Sequence, residues 1–241
     1  MIGLGTIINV ALILVGGLLG HFFGKIIKES MQETLTRTCG VAVLFVGIGG
    51  ALEGMLTETD GIISSGRGVF IVVILLLGAI VGEIINIEGG FEKFGVFLRE
   101  KTGNAKDKNF VEGFLNASFT VCIGAMAIVG SIEDGLTGDY SILLTKAILD
   151  LIIVMVMSAS MGKGPVFSFI PVLILQGSVT LLARVIKPVL TDASLGNLSM
   201  IGSILIFCVG INLVWGKKIK VANLLPAVIF AVAAAFLPFE F

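Results

Sequence analysis

Lys146 and Asp150 stand four residues apart inside an otherwise apolar run, 141–161. On a helix that spacing puts an ammonium and a carboxylate on one face, one turn apart. An ionisable group in a membrane-spanning helix costs about 2.5–3.5 kcal/mol on insertion scales, so it faces a partner or a cavity. Two readings follow. The pair neutralises itself and holds helices together, or Asp150 is an ion- or proton-coupling carboxylate tuned by Lys146.

Asn116, Thr120 and Gly124 recur at four-residue spacing in the run 110–131, with Ser118 and Cys122 on a neighbouring face. Such a stripe is either the wall of a polar cavity or a set of interhelical hydrogen bonds. Gly124 and Gly130 could also unwind the helix and free carbonyls for a cation or polar substrate. Gln176, Thr180 and Arg184 form a second stripe, with Pro171 ahead of it. Asn116, Thr120, Gly124 and Gln176 are therefore the candidate substrate-binding residues. Residues 131–140 read as an acidic loop holding Glu133, Asp134 and Asp139 and no Lys or Arg. Asp139 caps the next helix, or these carboxylates draw cations to an outer vestibule. Glu133 and Asp134 join Asp150 and Lys146 as candidate ion-coupling residues. Asn9 and Asn212 are single amides in apolar runs and read as helix glue.

Enzyme chemistry finds no support. There is one histidine, His21, and Cys39, Cys122 and Cys208 lie far apart without a CxxC. P-loop, HExxH and GxSxG patterns are missing. The expectation is a non-enzyme with no metal and no cofactor, apart from sodium or a proton as coupling ion.

These groups need elements to carry them. Of 241 residues, 56% are hydrophobic and only 14% charged. A soluble domain has about 45–50% apolar and about 25% charged residues, so that class is excluded. A net charge of −1 without a basic block excludes nucleic acid as a partner. Crossing the hydrocarbon core takes about 20 apolar residues. Eight runs qualify, at about 3–23, 37–56, 66–86, 110–131, 141–161, 165–187, 198–215 and 221–238. The expected fold is one all-α polytopic membrane domain, 1–241, in the lipid bilayer. Twelve of the sixteen Lys and Arg fall in the odd-numbered loops and three in the even ones. The positive-inside rule then puts both termini outside. Residues 87–109 form a cytoplasmic loop. Within it Phe91, Phe94, Phe97 and Leu98 recur at helical spacing among charges, which is the pattern of a surface amphipathic helix.

Gly16, Gly20 and Gly24 are spaced by four, as are Gly50 and Gly54, and Gly78 and Gly82. Such faces pack helices within the chain or form a homodimer. Leu12-Ile13-Leu14-x-Gly16 recurs as Leu173-Ile174-Leu175-x-Gly177, and Val46-Gly47-Ile48 as Val209-Gly210-Ile211. Five spans separate the copies, so the pattern is that of an inverted repeat, typical of secondary transporters.

Several strings resemble the YqgA/YdfK-like bacterial inner-membrane proteins, a family of unknown function. They are Gly5-Thr6-Ile7-Ile8-Asn9, Val15 to Gly20, and Phe110-Val111-Glu112-Gly113-Phe114. The strongest runs from Ala127 through Ile132 to Asp134-Gly135-Leu136-Thr137-Gly138-Asp139-Tyr140-Ser141. Leu144-Thr145-Lys146, Asp150, Pro171-Val172-Leu173, Gln176-Gly177 and Val221 to Ala227 continue it. The resemblance covers essentially the whole chain. It implies a bacterial plasma-membrane location and adds weight to Glu112, Asp134, Lys146 and Asp150, but supplies no substrate. Family members often carry proline after the glycine of the fourth span, where this chain has Ala125, which weakens the case for a permanently broken helix there. The reading is a secondary transporter of a small polar solute, coupled to sodium or protons. A channel and a structural or regulatory membrane protein remain the alternatives.

Overall fold

Long apolar segments must satisfy their backbone internally, and helices do so. The computed structural model describes residues 1–26, 28–59, 61–189 and 191–236. Its elements begin with α1 (Leu4–Gly24) and α2 (Glu29–Met55), then an exposed antiparallel hairpin of β1 (Leu56–Thr59) and β2 (Ile62–Ser65) with Thr57 opposite Ser64. After α3 (Gly68–Ile85) and α4 (Ile87–Lys101) come α5 (Phe110–Cys122), α6 (Ala125–Thr137) and α7 (Ser141–Met161). A 3-10 turn at Gly164–Ser168 leads into α8 (Phe169–Leu181), followed by α9 (Ala183–Ile186), α10 (Asp192–Trp215), α11 (Val221–Leu224) and α12 (Pro226–Ala234).

Among the described residues six helices are long and apolar enough to cross a membrane. The pair α5–α6, bent by 59°, makes a seventh if it crosses as one span. This is fewer than the eight expected. The run 221–238 gives only a shorter apolar segment, Val221–Ala234, divided at Pro226, which has no N–H to continue the ladder. Residues 237 and 238 lie outside the described residues.

The glycine faces pack within the chain. A Cβ on Gly16, Gly20 or Gly24 would stand 2.4, 2.0 or 2.4 Å from the carbonyl oxygens of Leu151, Met155 and Ala159. Contacts rising together in number make α1 and α7 parallel. That requires an odd number of crossings between them, so α5–α6 crosses and does not return. Gly47 meets Phe207 and Gly54 meets Met200, so α2 and α10 are antiparallel. Gly78 against Ala227 and Gly82 against Asn223 make α3 and α12 antiparallel.

The packing does not confirm the repeat pattern. Gly47 packs on Phe207 and Gly210 on Leu44, so those two strings face one another across α2 and α10. The other pair differs: Gly16 is pressed on α7, whereas Gly177 meets nothing within 4 Å. The core gathers Phe110, Phe114, Phe119, Met157, Met200 and Leu205 from α5, α7 and α10.

Candidate functional site: a buried ion pair at a helix break

The helix that begins at Phe110 stops at Cys122 because Ile123 (φ −86°, ψ 114°) is extended and Gly124 (φ 157°, ψ 148°) holds a conformation that residues with a side chain rarely adopt. In an unbroken helix the Val121 carbonyl would accept from the amide of residue 125. Here Lys146 Nζ donates to it instead, at 2.7 Å. A cation at a helix C-terminus is well placed, since the unpaired carbonyls there carry partial negative charge. The expectation that Ala125 argues against a break is thus corrected: Ile123 and Gly124 make the break, and an ammonium caps it.

The same ammonium is ion-paired with Asp150 Oδ2. Asn9 of α1 donates its Nδ2 to that oxygen at 3.0 Å. All three side chains are buried, with Lys146 7%, Asp150 3% and Asn9 0% exposed. Asn9 Oδ1 has no hydrogen-bond partner among the described residues. Three helices therefore converge on one carboxylate, and an amide acceptor beside it is left open.

The surroundings are asymmetric. Ile13, Val121, Val154 and Val172, each 0% exposed, form one apolar cluster. Ile13 lies one turn beyond Asn9, and Val154 one turn beyond Asp150, both towards the Lys-rich end of the molecule. In the opposite direction the buried residues are polar. Thr6 precedes Asn9 by about a turn, and Gln176 and Thr180 follow Val172 on α8. Gly17 packs on Val166 and Gly135 on Thr180, so α8 runs away from the Lys-rich end. Thr6 Oγ1, Thr180 Oγ1 and both amide atoms of Gln176 lack partners among the described residues. The centre is thus sealed by apolar side chains on one side and continued by unsatisfied polar ones on the other.

The remaining expected residues are spread out. Gly124 lines a cavity of about 480 Å³ whose wall is mostly apolar. Asn116 lines a second, of about 210 Å³, with Glu88, Glu92, Lys108, Glu112 and Lys217 among its other walls. The Thr120 hydroxyl donates back to the Asn116 carbonyl at 2.7 Å. Gln176 is buried on α8. These four do not share one chamber, although Phe119 walls both cavities.

Glu133 and Asp134 lie in α6, not in a loop, which corrects the reading of 131–140. Asp134 is fully buried and accepts from the amides of Gly3 (3.1 Å) and Gly5 (3.0 Å), capping α1. Gly135 lets α6 lie against the Thr180 carbonyl, where a Cβ would come within 2.4 Å. Those two contacts hold a glycine- and acid-bearing segment helical. Glu133 is half-buried, and its carbonyl accepts the Thr137 hydroxyl. The loop proper starts at Gly138. In it Asp139 accepts from the amide and hydroxyl of Ser141 at 2.9 and 2.6 Å, which holds its carboxyl below the usual range. This is the capping role.

Sequence reasoning missed Asn9 and the Val121 carbonyl as members of the centre. The one available signal was that a lone amide in an apolar run needs a partner.

A family model described as a protein of unknown function, DUF554, matches residues 4–236. The chain belongs to the DUF554 family. It is 31% identical over 232 residues to the uncharacterized membrane protein YdfK of Bacillus subtilis (strain 168), covering 96% of this chain and 95% of the relative. It is 28% identical over 232 residues to the uncharacterized protein YqgA of Escherichia coli (strain K12), covering 95% and 94%. No solved structure matches the chain. With its apolar helices and a relative named as a membrane protein, this DUF554 chain is a multi-pass membrane protein.

Proposed function

We propose that the protein is a secondary transporter of a small polar solute, coupled to sodium or protons, with its coupling site at Asp150. The observation that carries this is the Lys146 ammonium, which bridges a buried carboxylate and the carbonyl of a broken span. It occupies the place a mobile cation would take. Asp150 Oδ2, Asn9 Oδ1 and the Val121 carbonyl are hard oxygen atoms that can coordinate a sodium ion or accept hydrogen bonds from a hydronium. A cation arriving there competes with Lys146. Losing its partner, Lys146 also lets go of the end of α5, so ion binding and movement at the break are one event. Discontinuous helices with such ends near the midplane are how many transporters build their sites.

The unsatisfied polar side chains of Thr6, Gln176 and Thr180 give the cation and solute a route from one side, and the apolar cluster at Ile13 and Val154 closes the other. This reading needs no catalytic residue and no cofactor. It includes a bacterial plasma-membrane location and, with Val221–Ala234 crossing as a short eighth segment, both termini outside, from the distribution of Lys and Arg. It also includes a homodimer, whose contact must use lipid-facing surface, since the glycine faces are filled within the chain.

The test is uptake into proteoliposomes, with candidate solutes first chosen by thermal shift with and without sodium and at several pH values. A ligand at 100 times its Kd should add about 2.7 kcal/mol to native stability. Asp150→Asn should abolish uptake while leaving the purified protein folded. Normal uptake by that variant would refute the assignment.

A further inference from the structure

The larger cavity has nothing to hold a charge. Among the described residues no charged side chain lines its wall, which is built from residues such as Phe119, Ile123, Ile128 and Leu225. Its volume of about 480 Å³ is that of an ordinary ligand site, about 300–1,000 Å³. Apolar cavities of this kind exclude water. Ile174 on α8 and Ile229 on α12 both line it and are 63% and 71% exposed. They belong to apolar helices, so the mouth between them opens sideways into the bilayer.

Its depth identifies the occupant. At one end stand Phe91 and Phe94 of α4, the amphipathic helix at the Lys-rich surface. At the other stands Gly124, in the α5–α6 break. Ile174 lies ten residues beyond Gly164, the start of its span, which is about 15 Å along a helix axis. Half of a hydrocarbon core about 30 Å thick is the same distance. The cavity therefore runs from the interface to the midplane and a little past it, where Ser178 and Leu198 line its far end, the course of one acyl chain entering from a single leaflet.

We propose that this cavity binds one acyl chain of a phospholipid from the leaflet at the Lys-rich side, entering between Ile174 and Ile229 and seated against the α5–α6 break. A tail in this position packs on Phe119, Ile123 and Gly124, the residues that end α5. The adjoining Val121 carbonyl is the one Lys146 holds. Lipid occupancy thereby supports one side of the break while the ion pair supports the other. The proposal stands independently of transport.

Fluorescence quenching tests it on the full chain. The single tryptophan is first removed as Trp215→Phe, and new ones are placed one at a time: Phe119→Trp in the cavity, Ile229→Trp at its mouth, and Phe110→Trp in the closed core, where Phe110 is 0% exposed. Each is reconstituted into phosphatidylglycerol vesicles whose acyl chains carry bromine at mid-chain. Phe119→Trp should be quenched to the extent of Ile229→Trp, and Phe110→Trp should not. Adding Gly202→Phe, which fills the cavity from α10, should return the Phe119 probe to the Phe110 level and leave Ile229→Trp quenched. A Phe110 probe that stays unquenched in the same Gly202→Phe background shows that the filled variant still folds; where it does not, Ser178→Leu fills the same space. A Phe119 probe no more quenched than the Phe110 probe would overturn the proposal. So would quenching that survives a folded, filled cavity.

Discussion

The two sides of α5 meet opposite environments within three residues of each other. On one side the Val121 carbonyl accepts from an ammonium that is paired with a carboxylate and, through it, an amide; on the other, Phe119, Ile123 and Gly124 face an apolar cavity about 480 Å³ in volume. Both sides rely on the same break at Ile123 and Gly124. The break exposes backbone carbonyls, which need a donor, and it also leaves space, which needs filling. The charged side answers the first need with Lys146. The apolar side is open to the second. Near the middle of a membrane these solutions cannot be exchanged, because an unpaired carbonyl is costly in hydrocarbon.

The largest effect should come from breaking the charged side. Removing one partner of a buried ion pair leaves an uncompensated charge and costs about 3–5 kcal/mol. Lys146→Met should destabilise the protein by that amount in denaturant unfolding, since it also uncaps α5. The double variant Lys146→Met with Asp150→Leu should recover much of the loss, because well-packed apolar replacements of a buried pair are often neutral. Uptake should stay absent in both. Single variants as stable as the parent would show that the pair contributes little and that α5 ends for another reason.

A smaller effect separates polar atoms on the two sides. Asn9→Leu removes a hydrogen bond to a charged acceptor, worth about 1.5–3 kcal/mol. Ser118 lines the apolar cavity, is 1% exposed, and its hydroxyl has no partner among the described residues. Ser118→Ala should therefore be neutral or stabilising, since it removes an unsatisfied buried group. Equal losses from the two substitutions, read as shifts in unfolding midpoint, would erase the distinction between the sides.

How far these features could be read in advance follows from how local each one is. Lys146 and Asp150 sit on one helix, so a spacing of four residues was enough to pair them. The amphipathic α4 and the glycine faces were equally visible, because each is a periodic pattern within a single element. Asn9 was not, because its partner lies 141 residues away and a lone amide says nothing about which helix it meets. The segment 131–137 was misread for the same reason: what keeps it helical is the Thr180 carbonyl lying on Gly135 and the start of α1 lying on Asp134. The eighth span is not confirmed at the C-terminal end, where composition is apolar but Pro226 divides the helix among the described residues. The break itself depended on φ and ψ at Ile123 and Gly124, which a residue list leaves open for any glycine.

The smallest effect concerns the roof of the apolar side. Phe91 of α4 meets Phe119 edge to face, 5.3 Å between ring centres, so α4 must stay in place for the cavity to keep its upper end. Lys217, between α10 and α11, pins it by pairing with Glu88 at 3.0 Å and with Glu92. Burial alone would lower the Lys217 ammonium, but its hydrogen bonds to Glu92 and Glu88 outweigh this and raise it above the usual 10.5. A raised lysine stabilises the native state fully below its unfolded value, and the benefit disappears as pH climbs through the folded one. The clamp is therefore intact at neutral pH and releases only in strong alkali. Hydrogen exchange of the α4 amides, corrected for the intrinsic pH dependence, should show protection holding through neutral pH and falling above about pH 10.5. Lys217→Met should lower α4 protection at neutral pH and remove the alkaline step, with little change at Asn9 or Asp150. Were the step to persist in that variant, some other group would be holding α4, and the roof of the cavity would not depend on the ion pair.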